Sequence, residues 1–192
     1  IRILARVLVN YHELYGFSLQ ITDIDPSYSL GDMERQRQMT IAQLQRDGVW
    51  EMNREQPMPP IVQRVAVVSS ANAAGYQDFC KELGKSPYRF HLTLCDAFMQ
   101  GAAAEESIIG ALCSVAERLG EFDAVVLIRG GGSRSDLNCF NAYRLCAHVA
   151  QFPLPVVTGI GHDKDTSVAD MVAHTALKTP TAVAGWLVER MA

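Results

Sequence analysis

Arg129-Gly130-Gly131-Gly132-Ser133 joins a rigid guanidinium fork to three residues without side chains, a combination suited to holding a phosphate. Glycine lets the backbone take φ > 0 and bring its N–H groups close to an anion. A flexible turn is the other reading of three glycines alone; Arg129 and Ser133 beside them favour the anion. The spacing is neither GxxxxGK[ST] nor GxGxxG, which makes a phosphodiester a better ligand than a nucleotide cofactor. In Gly159-Ile160-Gly161-His162-Asp163-Lys164-Asp165, a histidine stands among glycines and charges, a poor setting for a core residue. Imidazole titrates near neutrality, so His162 suits general acid or base work on a phosphodiester. Asp165 reads as the N-cap of a helix starting at Thr166, as a group orienting His162, or as both. Asp78, early in a predicted helix, reads on spacing alone as an ordinary acidic preference of a helix start. Asp136 looks like the cap of a helix at Leu137, and Asn141 is placed to bond within the glycine-rich turn or to touch substrate. Support for a metal is thin. Helical geometry turns Asp170 away from Asp165, and no second histidine has zinc-ligand spacing.

The elements that must position these residues are legible from periodicity. Residues 6–11 and 17–22 form apolar or alternating runs around Tyr15-Gly16 and predict a hairpin; Leu30, Met33, Ile41 and Leu44 then share one helical face, with Gly48 as the stop. Residues 49–60, with three prolines, read as a connector. From residue 61 strands and helices alternate. Strands are expected at 65–68, 90–94, 124–128 and 155–158, and helices at 72–83, 104–119, 137–150 and 166–174, with a last helix opened by Thr179-Pro180. This order predicts an α/β fold, a doubly wound and mostly parallel sheet flanked by helices, preceded by an N-terminal β-hairpin and helix. Residues 1–60 are expected to pack on a catalytic core at 61–192, giving one compact domain overall. Ligands in such sheets bind beyond the carboxyl ends of the strands, which nominates the loops 69–72, 96–101, 129–133 and 159–165.

Composition sets outer limits. A chain of 192 residues with 48% hydrophobic content can bury a sizeable core. No apolar run approaches about 18 residues, and no signal-peptide pattern opens the sequence, so neither a membrane span nor a membrane partner is expected. Five cysteines, odd in number and without CxxC, argue for reduced thiols and a cytoplasmic setting. The opening Ile1 suggests a piece of a longer polypeptide. A net charge of −4 would ordinarily speak against nucleic acid. Its acidic excess, however, lies in residues 1–60 and 101–128, away from the glycine-rich and histidine segments.

The ordered set Arg129-Gly-Gly-Gly-Ser, Asp136-Leu137, Phe140-Asn141, Gly161-His162-x-x-Asp165, Ala169-Asp170 and Thr179-Pro180-Thr181-Ala182 closely resembles the catalytic domain of the exonuclease VII large subunit. The likeness runs across essentially the whole chain, including Asp23-Ile24-Asp25-Pro26, the segment Val65 to Ser70, and Gln100-Gly101. It implies a nuclease that degrades single-stranded DNA from either end to oligonucleotides with 5′-phosphates. Activity would be tied to Asp78, Arg129, His162 and Asp165, with Gly130, Gly131, Gly132 and Ser133 holding phosphate and Asp136 and Asn141 in support. The resemblance thus promotes Asp78 from helix start to site. It further implies no strict need for a divalent metal, Mg²⁺ being an option, and a small subunit bound through a helical region outside this sequence. Ser69-Ser70-Ala71-Asn72 departs from the family's Thr-Ser-Pro-Thr, Ile128 stands where glycine is common, and Gly185 where glutamate is frequent. The rival functions are a non-hydrolytic α/β module binding a small phosphorylated ligand, and a core fragment without activity.

Overall fold

The computed structural model describes residues 4–131, 134–161 and 166–192. The chain forms two compact units, Ile1–Met39 and Thr40–Ala192. In the first, β1 (Leu4–His12) pairs antiparallel with β2 (Gly16–Asp25), closing with His12 opposite Gly16 and carrying one bulge between Arg6 and Val7. Tyr11 and Phe17 stack across the strands with ring centroids 5.0 Å apart.

Helix α1 (Pro26–Arg46) begins on proline, whose missing N–H costs nothing at a first helical position. It ends where the pattern predicted. Gly48 takes φ +71°, and the amides of Gly48 and Val49 turn back to the carbonyls of Gln45 and Leu44, which satisfies the orphaned last turn.

The second unit is built on five parallel strands in the order β4-β3-β5-β6-β7: β3 (Arg64–Ser69), β4 (His91–Asp96), β5 (Ala124–Ile128), β6 (Val156–Gly159) and β7 (Thr175–Ala176). Continuous apolar strands are required because both faces are covered. Alternate residues go to opposite cores. Ala66, Val68, Val125 and Leu127 pack under α3 (Ala104–Ala116), α4 (Tyr143–Ala150) and α5 (Val168–Val172). Val65, Val67, Val126 and Ile128 pack under α2 (Ala74–Leu83) and α6 (Pro180–Glu189). The sheet is therefore doubly wound, as expected. The chain runs from β3 outward to β4 and returns to β5 on the other side of β3, so the strand order reverses between β3 and β5.

Three expectations change. The helix expected at 137–150 is a 3₁₀ segment, Arg134–Asn141, followed by α4, with Ala142 extended between them. The helix expected at 166–174 shrinks to α5, because Ser167, not Asp165, caps it: Ser167 Oγ accepts the Asp170 amide, and the Asp170 carboxylate accepts the Ser167 amide. The short strand β7 carried no periodic signal; two residues are too few to show one.

The connector at 49–60 is fastened by Asn53, which is fully buried. Its amide donates to the carbonyls of Phe152 (3.0 Å) and Leu154 (2.9 Å), and its oxygen accepts the amides of Val156 (2.9 Å) and His174 (3.0 Å). Among the described residues no helix is long and apolar enough to cross a membrane.

Candidate phosphate-binding site

The loops leaving β3, β4 and β5 enclose a pocket of about 320 Å³ at the point where strand order reverses. Doubly wound sheets open a crevice there, since adjacent loops depart to opposite faces. Ser70, Asn72, Ala73 and Ala74 come from the β3 side, Phe98, Met99 and Gln100 from β4, and Arg129, Gly130 and Gly131 from β5. Two hydrogen bonds lock the first two loops together: Ala71 N–H donates to Asp96 Oδ1 (2.8 Å), and Ala97 N–H to the Ser69 carbonyl (2.9 Å).

Helix α2 starts at this pocket. Its N-cap, Ala73, is extended and offers no side-chain acceptor, so the first amides of α2 lack the usual cap. Uncapped helix amides and the positive end of the helix dipole favour an anion. The glycine loop closes tightly on them. A Cβ on Gly75 would stand 2.6 Å from Gly130 Cα, and one on Gly130 would stand 2.8 Å from the Gly75 nitrogen. The expected φ > 0 is not found at the two described glycines of the turn, Gly130 and Gly131. Gly130 is needed because two backbones approach too closely for a side chain.

Arg129 is 6% exposed, and its amide donates to the Gly159 carbonyl (3.3 Å), continuing the β5–β6 ladder one residue past Ile128. The loops after β5 and β6 therefore leave side by side. Asn141 anchors the chain beyond the second loop: its Oδ1 accepts the Val168 amide (2.9 Å), joining the end of the 3₁₀ segment to the start of α5. That partner lies 27 residues away, outside the glycine-rich turn in which the sequence offered a bond for Asn141.

Of the expected site residues, Arg129, Gly130 and Gly131 converge on one pocket. Asp78 does not line it. Its side chain is 57% exposed and pairs with Lys81 at 3.7 Å on α2, three residues past Gly75. Gly132, Ser133, His162 and Asp165 lie outside the described residues, and Asp136 is placed only as backbone within the 3₁₀ segment. Among the described residues no group of three His, Cys, Asp or Glu side chains is arranged to hold a metal ion. Nearby thiols are poor nucleophiles: burial pushes Cys139 up to about 11 against the pull of the Arg129 charge, and burial raises Cys146 as well.

Two side chains outside the expected site residues stand out. Asp170 is 5% exposed; one carboxylate oxygen completes the α5 cap and the other, Oδ1, has no hydrogen-bond partner among the described residues. Ser167-x-x-Asp170 is a capping-box spacing and could have revealed the first role. Phe98 is 67% exposed on the pocket rim; the sequence nominated its loop, 96–101, but nothing in it singles out this residue.

A parallel, doubly wound domain with an arginine, a glycine turn and an uncapped helix start at its switch point is an α/β domain with its crevice where such folds take ligands. The family model for exonuclease VII, large subunit, matches residues 49–192. Similar proteins include the exodeoxyribonuclease 7 large subunits of Deinococcus radiodurans, 36% identical over 98% of this chain and 46% of that protein, and of a Synechococcus species, 39% identical over 87% and 43%. A third, from a Cyanothece species, is 38% identical over 73% of this chain and 33% of its own length. The chain belongs to the exonuclease VII large subunit family and spans less than half the length of these relatives.

Proposed function

We propose that the chain is the catalytic core of a cytoplasmic exodeoxyribonuclease that hydrolyses single-stranded DNA from either end to 5′-phosphorylated oligonucleotides. The observation that carries the proposal is the meeting of Arg129, Gly130 and Gly131 with the uncapped start of α2 in one pocket of a chain belonging to this family. A scissile phosphate seated there faces a fixed guanidinium and backbone amides, which stabilise the charge that grows on its oxygens as water attacks. His162 serves as general acid or base and Asp165 orients it, with Gly132 and Ser133 completing the cradle. Asn141 and the Ser167–Asp170 cap fix the chain just past this pair. Asp78 enters through the family likeness, its carboxylate standing on the exposed flank of α2. Hydrolysis does not strictly need a divalent metal, with Mg²⁺ an optional activator, and the whole protein works with a small subunit.

The test is cleavage of end-labelled single-stranded DNA by the full-length protein with its small subunit, in excess EDTA and again with Mg²⁺. Release of 5′-phosphorylated oligonucleotides under both conditions is expected. Arg129→Ala should lose about 100- to 1000-fold in kcat, and Arg129→Lys should recover little, since a point charge cannot replace a bidentate fork. Absence of cleavage under both conditions sinks the nuclease reading, and cleavage with Mg²⁺ alone sinks only the metal-independence; full activity of His162→Ala or Asp78→Asn removes that residue from the site.

A further inference from the structure

The loop after β4 buries Ala97 (4% exposed) and Met99 (6%) and turns the ring between them, Phe98, into solvent at 67% exposure. This outward position is enforced. The Phe98 amide donates to Ser107 Oγ on α3 (3.0 Å), the Ala97 amide to the Ser69 carbonyl (2.9 Å), and the two buried neighbours anchor the chain on either side. Among the described residues of the second unit, the large exposed hydrophobics are Met52, Ile61 and Phe98; Phe98 is the most exposed and the only aromatic. It is also the one that lines the pocket holding Arg129, Gly130 and Gly131.

We infer that Phe98 is a base-stacking platform: it takes the face of a nucleobase next to the phosphate held by Arg129 and the glycine turn. The inference rests on the proposed single-stranded DNA substrate and names how that strand is gripped. A phosphate cradle alone binds any phosphate ester, whereas a cradle with an aromatic face on its rim matches a nucleotide unit, charged on one side and flat and apolar on the other. A pocket of about 320 Å³ is of the size that small-molecule sites occupy. Stacking is indifferent to base identity, because every base has a π face, so the platform grips a strand without reading its sequence. Paired bases in a duplex have their faces covered, so the same ring favours single strands. A phenylalanine side chain has only two rotatable bonds, so it loses little conformational freedom on binding.

The test uses the full-length protein with its small subunit and a phosphorothioate-linked oligothymidylate, compared with an abasic strand of equal length and charge; cleavage of the unmodified strand is measured in parallel. Phe98→Ala should weaken binding to the base-bearing strand by about 5- to 100-fold and leave the abasic strand within about twofold of wild type. Phe98→Trp should restore binding, and Phe98→Leu, apolar without a π face, should not. Equal binding by wild type and Phe98→Ala overturns the inference, as does an equal loss on both strands or release of the small subunit by Phe98→Ala. Base-dependent binding through Phe98 without cleavage sinks the nuclease proposal and upholds the platform. Cleavage that ignores Phe98 does the reverse. Wild-type protein that binds neither strand overturns both.

Discussion

At the scale of single residues, the second unit depends on buried polar groups whose partners leave no slack. Asn53 closes four backbone groups on two segments, 152–156 leading into β6 and His174 leading into β7, and ties both to the connector. Asn53→Ala strands two carbonyls and two amides, and each buried group left unpaired costs about 1–3 kcal/mol. A loss of about 3 kcal/mol or more is expected in urea denaturation; a change below about 1 kcal/mol would show that the connector holds without it. One of those amides belongs to His174, whose imidazole is held below the ordinary histidine range by burial and by the Arg190 charge, with a bond to the Gln56 backbone opposing. The unfolded chain therefore takes up this proton first as pH falls, near pH 6.5. The contribution of neutral His174 is complete above that pH and declines below it. Thermal melts from pH 8 to pH 5 should show a steeper fall for the wild type than for His174→Gln; identical slopes would refute the assignment.

Elements transmit these constraints to the pocket, and the contact of α2 with the glycine turn is the most exacting. Gly75 and Gly130 exclude each other's Cβ, whereas among the described residues a Cβ on Gly131 would meet nothing within 4 Å. Gly75→Ala and Gly130→Ala should force α2 away from the turn, costing about 1–3 kcal/mol of stability and most of the activity. Gly131→Ala should cost little stability, a contrast that thermal melts with parallel cleavage assays read directly. Three equal responses would contradict the close approach. Sequence could not separate these glycines, because one letter stands for both a tight contact and an open turn. It did reveal the continuous strands, since Val65 to Val68 must feed two cores, and the helix stop at Gly48 and start at Thr179, where Thr179 Oγ accepts the Ala182 amide at 3.1 Å. Arg129 was legible because a charge beside glycines after a buried strand has few structural uses. Phe98 was not, because outward orientation is decided by Ser107 nine residues away and by burial of its neighbours. The α5 boundary failed for a related reason: Asp165 and Ser167 are both good caps in isolation, and reciprocity with Asp170 selects the second.

Taken whole, the chain distributes its burial unevenly. The second unit encloses both hydrophobic cores, while in the first unit Leu4, Val7, Leu8, Val9, Tyr11, Leu14, Tyr15, Phe17, Leu19 and Ile21 are all exposed. A two-stranded hairpin has one ladder of backbone bonds and no second layer, and such hairpins are marginal in water. Apolar side chains on an open two-stranded ribbon also invite association through its unpaired edges. The formal charge follows a different division, because the acidic excess in residues 1–60 and 101–128 leaves the segments carrying Arg129 and His162 near balance. Both hydrophobic cores and the candidate phosphate pocket thus lie in residues 40–192, and that has a measurable consequence. A fragment of residues 40–192 should retain the parallel sheet and melt in one cooperative transition, within a few degrees of the 192-residue chain. The fragment 1–39 should show no stable strand signal by circular dichroism and should self-associate as its concentration rises. A cooperative melt for residues 1–39, or loss of folded signal from residues 40–192, would mean that the cores described do not hold the second unit by themselves.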